Sequence, residues 1–248
     1  MDGVILALES SGDGGGAAVM RGAEVAAHVA VTGPRVHGAE LMACVDRACV
    51  QAKVNRAQID VIAVNCGPGS YTGLRIGLAS AAGIGRALER PVLGVPCFDA
   101  MAVQYVGAQN FNIRTRCELW PVLDARRDEV MTARLEYAAG QLKRLSPDEL
   151  LAPEVLRERA AHGAVVFGAA VPVYQDRLKR EEILLDRREF VLTAAAVGLQ
   201  AWRQLSTVED WRQLPLSAVA PRYFREITAK TVEQRAGVGD TETAKTQK

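Results

Sequence analysis

Cys66 to Leu88 read CGPGSYTGLRIGLASAAGIGRAL, and the reading of this stretch decides the fold. It opens as phosphate loops do: glycines and a hydroxyl residue lead into a helix, whose free N–H groups and positive dipole favour anions. The spacing differs from the known loops. Gly67, Gly69 and Gly73 do not make Gly-x-Gly-x-x-Gly, and Leu74 and Arg75 stand where a Walker loop has lysine and a hydroxyl residue. Pro68 stiffens the loop, and its glycines equally serve to turn the chain and let backbones approach. A nucleotide or phosphate site here would draw on Gly67, Gly69 and Ser70, with Glu9, Ser10 and Asp13 from the turn after the first strand.

The helix that follows, residues 72–88, has almost no polar side. At 100° per residue, Ile76, Gly77, Ala81, Ile84 and Leu88 share one face. Arg75, Ala79, Ala82 and Arg86 lie opposite, with Leu78 beside them. Gly77, Ala81 and Gly85, spaced by four, remove bulk and permit close helix contact. A helix apolar nearly all round needs cover on both sides. The second cover is either the helix over residues 36–53 or another chain.

Outward from this stretch, VILALE (residues 4–9) reads as a short buried strand and SSGDGGG as a turn. AAVMRG and EVAAHVAV continue as strands around Gly22. Leu41, Val45, Ala48, Cys49 and Ala52 give the helix over 36–53 one apolar face. Strands over 59–65 and 92–95 flank the 72–88 helix, and 99–106 reads as helical. The second half repeats the order. ELWPVLDA, EVMTARLEY and GQLKRL are three strands, a helix follows over 153–161, and AVVFGA is a strand. VPVYQDRLKR is a short helix, EILL a short strand, and Thr193 caps a helix through Leu205. Each half therefore reads βββαβαβα, which predicts two mixed-sheet α/β lobes with a cleft between them. The boundary falls near Gly107 to Arg116. In such a fold the turns at Glu9-Ser10-Ser11 and Asp124-Ala125-Arg126-Arg127 face the cleft, and both read best as solvated hairpin turns.

The chain has 248 residues with 49% hydrophobic content, enough for a substantial core. Its 30 basic and 29 acidic residues balance, so overall charge points to neither nucleic acid nor membrane. Five cysteines without Cys-x-x-Cys read as reduced, buried thiols of a cytoplasmic protein, with no signal peptide and no membrane span. His28, His37 and His162 have no metal-ligand spacing, which argues against a metalloprotease, and no Gly-x-Ser-x-Gly elbow occurs.

The chain closely resembles the TsaB (YeaZ) family, of the actin-like ATPase superfold (ASKHA, RNase H-like). The family motifs ILALDTS, HSE-L-P, GPGSFTGLRIGLSTAKGLA, GVSSLEALA, DAR-GEVY and P-YLR appear here as ILALESS, VHGAELMACVD, GPGSYTGLRIGLASAAGIG, GVPCFDAMA, DARRDEVM and PRYFR. The match runs from about Val4 to Arg225 and is most specific at Gly67 to Gly77. The resemblance implies a two-lobed fold: residues 1–107 as an N-terminal lobe carrying the dimerisation helices, 108–227 as a smaller C-terminal lobe, and 228–248 as a disordered tail. It implies a non-catalytic subunit with no cofactor. Such a subunit activates a TsaD-like transferase making N6-threonylcarbamoyladenosine at position 37 of tRNA, with a TsaE-like ATPase as further partner. Contact with tRNA then comes through the complex, and the same helices permit a homodimer when the chain is alone. The partner face falls on His37, Leu41 and Val45 of one helix and on Leu74, Arg75, Leu78, Ala79, Ala82 and Arg86 of the other. TsaD holds its metal by His-x-x-x-His where this chain has Cys97 and Met101, a pair that cannot replace two imidazoles. Three departures stand out: the turn Glu9-Ser10-Ser11-Gly12-Asp13 is nearer to TsaD, and Met42 and Asp46 differ from the family's usual helix residues. The competing expectation is an ATP-binding ATPase or phosphotransferase of the same fold, dependent on Glu9 and Asp13.

Overall fold

The structure, a computed structural model, describes residues 3–12, 14–32, 38–109, 116–208, 214 and 219–223. The first sheet has the order β3-β2-β1-β4-β5, built from β1 (Val4–Glu9), β2 (Gly14–Arg21), β3 (Glu24–Thr32), β4 (Val61–Gly67) and β5 (Val92–Pro96). Strand β1 is antiparallel to β2 and parallel to β4. VILALE carries no polar alternation because both of its faces are covered. Leu6 and Leu8 point to one layer with Leu41, Val45 and Ala48 of α1 (Gly38–Gln51) and Ala81 of α2 (Tyr71–Leu88). Ile5 and Ala7 point the other way, onto Ala194, Val197 and Ala201 of α6 (Ala194–Leu205). This helix follows the strands of the second lobe in the chain, yet it packs across the first sheet. Thr193 caps it, accepting the Ala196 N–H at 3.2 Å.

The glycines at 14–16 belong to β2 rather than to the preceding turn. A Cβ on Gly16 would stand 2.3 Å from the Val29 carbonyl oxygen, so the strand's beginning is readable as turn chemistry only until its neighbour is known. The first lobe otherwise follows the predicted order, closing with α3 (Cys97–Ala108).

The second lobe departs from that order. Strand β6 (Cys117–Arg126) is followed by β7 (Glu129–Thr132), β8 (Leu135–Ala138), β9 (Gln141–Arg144) and β10 (Glu149–Leu151) before α4 (Pro153–Arg159). EVMTARLEY, expected as one strand, is thus two. The register of Val122 with Thr132 and Leu119 with Leu135 sets Pro121 opposite Ala133. Proline has no N–H for the ladder. The Ala133 carbonyl instead accepts from the Thr132 hydroxyl at 3.4 Å, and the next carbonyl, of Arg134, accepts from Leu145 N at 2.8 Å, just past the end of β9. Strand β11 (Val165–Phe167), α5 (Val171–Leu178) and β12 (Leu184–Asp186) complete the lobe, whose sheet runs β10-β7-β6-β11-β12 with β8 and β9 branching from β6. Residues 110–115 of the expected boundary and all of 228–248 lie outside the described residues. No helix among the described residues is long and apolar enough to cross a membrane.

Candidate functional site

Three glycines of the opening stretch face the turn after β1. A Cβ on Gly73 would lie 2.0 Å from the Ser10 carbonyl oxygen, one on Gly69 2.7 Å from Ser11 Cβ, and one on Gly77 2.6 Å from Ser10 Oγ. The glycine spacing therefore serves the approach of α2 to β1. Hydrogen bonds hold the contact. Ser10 Oγ donates to the Gly73 carbonyl at 2.8 Å, and Ser70 N donates to the Ser11 carbonyl at 2.8 Å. Ser70 also caps α2, its Oγ accepting Gly73 N–H at 3.3 Å.

The expectation of a solvated first turn is corrected: Glu9, Ser10 and Ser11 are buried. Glu9 Oε1 accepts from Ser11 N at 2.5 Å and Oε2 from Asn65 Nδ2 at 2.8 Å. Asn65 Oδ1 accepts from Gly67 N at 2.9 Å, so one carboxylate organises the turn, β4 and the start of the loop. Both Glu9 oxygens are committed to the fold. Burial pushes the Glu9 carboxyl above its ordinary 4.5, outweighing the hydrogen bonds from Ser11 and Asn65 that pull it down. A carboxyl with a raised folded-state pKa holds its proton more tightly folded than unfolded. Its contribution to stability is full below pH 4.5 and is lost as pH rises through the folded value. Glu9→Gln abolishes this titration. Urea unfolding from about pH 4 to about pH 8 is expected to show wild type losing stability relative to Glu9→Gln as pH rises. A constant difference across the range would contradict the buried, proton-binding carboxyl.

Both turns do face one cleft, of about 690 Å³, lined on one wall by Ser11, Gly12, Gly69 and Ser70 and on the other by Asp124 and Arg126. The second turn is solvated as expected. Arg126, Arg127 and Asp128 all have left-handed φ (63°, 55° and 62°), and Arg126 and Arg127 are exposed. Asp124 steadies the turn by accepting from Arg126 N at 2.8 Å and from the Tyr174 hydroxyl at 2.9 Å. Cys97 and Met101 lie buried at this cleft, and burial pushes the Cys97 thiol well up. Among the described residues no group of three His, Cys, Asp or Glu side chains is arranged to hold a metal ion.

The predicted partner face divides in two. Leu41, Val45, Leu74 and Leu78 are buried in the first lobe's own core, which corrects their placing on an outward face. Leu78 lies on the covered side of α2, where Gly77 and Gly85 let the helix come down onto β4 and β5. A Cβ on Gly85 would stand 2.6 Å from Val92 Cγ2. Arg75, Ala79, Ala82 and Arg86 are exposed, joined by Gly83. On α1 the exposed large apolar side chains are Met42 and Val50, the latter 77% exposed. Asp13 and His37 lie outside the described residues.

Sequence reasoning did not foresee the role of residues 219–223. Arg222 N donates to the Cys66 carbonyl at 2.7 Å, and a Cβ on Gly67 (φ +109°) would lie 2.7 Å from the Arg222 carbonyl oxygen. A Cβ on Gly94 would meet Val219 at 2.6 Å. The only local signal was a glycine inside β5, which marks close approach of another backbone.

The chain matches the family of tRNA N6-adenosine threonylcarbamoyltransferase, TsaD, over residues 28–171. It is 26% identical over 237 residues to the tRNA threonylcarbamoyladenosine biosynthesis protein TsaB of Bacillus subtilis (strain 168), covering 93% of this chain and 99% of that one. An uncharacterized protein of Mycobacterium tuberculosis is 42% identical over 100 residues, 40% of this chain. The chain spans 43% of the length of that relative. YeaZ from Pseudomonas aeruginosa superposes with a TM-score of 0.74 at 25% identity, covering 89% of this chain and 99% of that one, which gives the two lobes the actin-like fold.

Proposed function

The chain belongs to the TsaB (YeaZ) family within the TsaD-type sequences, and we propose that it is a non-catalytic subunit that activates a TsaD-like transferase in forming N6-threonylcarbamoyladenosine on tRNA. The observation that carries the reading is the outer side of α2. Its inner side is already packed on the sheet, while Ala79, Ala82 and Gly83 leave a shallow, exposed track between Arg75 and Arg86. Small residues along a helix let a second helix approach closely, and a charged rim suits a specific partner. Met42 and Val50 extend the surface onto α1. The non-catalytic part of the reading draws on Cys97 and Met101, which stand where the paralogue is implied to have metal-binding histidines. A TsaE-like ATPase is the further partner, tRNA is met through the complex in the cytoplasm, and the same face closes a two-fold homodimer in the absence of the paralogue.

The test is light scattering on a sizing column, with the chain alone and then mixed with the TsaD-like paralogue of the same organism, without nucleotide. A one-to-one complex is expected. Two species that elute separately at concentrations of about 50 μM would overturn the reading.

A nucleotide in the cleft is the second reading, favoured by Ser11, Ser70 and Arg126 around one opening. It loses Glu9 as a ligand, since both carboxylate oxygens are bonded internally.

A further inference from the structure

We propose that the Tyr71–Tyr223 pair, with the guanidinium groups beside it, is a contact for single-stranded RNA; the reading above enters only in the choice of RNA over DNA. Tyr71 opens α2, and Tyr223 lies on the segment pinned to β4 through Arg222 N and the Cys66 carbonyl. The two ring centroids are 5.0 Å apart at 34°, and the residues are 41% and 40% exposed. Arg75 lies 5.0 Å from the Tyr71 centroid and donates from Nη1 to the Tyr71 hydroxyl at 2.8 Å. Arg222 presents a side chain that is 53% exposed. Its carboxylate neighbour Asp148, at 3.6 Å, is only 12% exposed and already bonded to Arg144, so much of the Arg222 charge faces water.

Exposed rings flanked by guanidinium groups are what single-stranded RNA needs. Bases stack on the rings whatever their identity, and arginine meets the phosphates. The chain neighbours of Tyr71, Ser70 and Thr72, are exposed and polar. That suits a wet nucleic-acid contact better than the dry centre of a protein interface. Both rings sit on fixed backbone, one on the first turn of a capped helix and one on a hydrogen-bonded segment, so little order must be gained on binding.

The experiment is fluorescence anisotropy of the full chain with a labelled single-stranded RNA of about 12 nucleotides, at about 50 mM and about 200 mM salt. Wild type is expected to bind, and Tyr223→Leu to bind about tenfold more weakly. Arg222→Gln is expected to flatten the log–log salt dependence by about 0.7. Thermal melts of both variants report that the fold is kept. No binding by wild type, or binding unchanged in both variants, overturns the proposal. So does an unchanged RNA affinity with a lost complex to the TsaD-like paralogue, which would assign the patch to a protein. Because the RNA is offered to the chain without its partner, failure here and failure of the subunit reading are told apart.

Discussion

Gly73→Ala is expected to lower the melting temperature by roughly 6–12 °C, the equivalent of about 3 kcal/mol in a chain of this size. The added methyl would stand 2.0 Å from the Ser10 carbonyl oxygen, 3.0 Å from its carbon and 3.1 Å from Ser11 Cα. All three are backbone atoms, so no side chain can rotate away. The helix would have to lift from β1, and the bond from Ser10 Oγ to the Gly73 carbonyl would go with it. Gly83→Ala is the control on the same helix. Nothing lies within 4 Å of its Cβ position, and alanine favours helix by about 1 kcal/mol over glycine. Differential scanning calorimetry on the two variants separates contact from propensity. A Gly73→Ala protein melting within about 2 °C of wild type would mean that α2 is not held by this approach.

Ala82→Arg is expected to weaken the complex with the TsaD-like paralogue about 100-fold, or about 2.8 kcal/mol. Ala82 is exposed, so the free chain should fold as before, and arginine is a good helix former. The new side chain would fill the track between Ala79 and Gly83. It would also put a positive charge four residues before Arg86, a like-charge pair, in a surface that must lose water to dock. Titration calorimetry gives the affinity, and circular dichroism reports the fold. Wild-type affinity in a folded Ala82→Arg protein would remove α2 from the partner surface.

Much of the fold was legible as local pattern. VILALE, the 72–88 helix and the Thr193 cap appear where the residues predict them. The division of EVMTARLEY was not, because its cause is Pro121 on the neighbouring strand. Strand β10 escaped because ELL is short and its pairing partner is β7. The exposure of the expected partner positions was half legible. Arg75, Ala79, Ala82 and Arg86 are exposed as expected, whereas four leucine and valine positions went to the core.

Residue order alone determined that the chain is α/β with two lobes, and that its helix over 72–88 is apolar nearly all round. These follow from period, composition and the identity of side chains, which need no knowledge of distant neighbours. Only the tertiary structure decided which side of α2 is inner, that Glu9 is a buried organiser rather than a free ligand, and that Tyr223 comes to rest on Tyr71. A helix rich in glycine and alanine has no bulk to orient it. A carboxylate or ring at a turn has no assigned environment until the segments 56 residues away and farther have been packed against it.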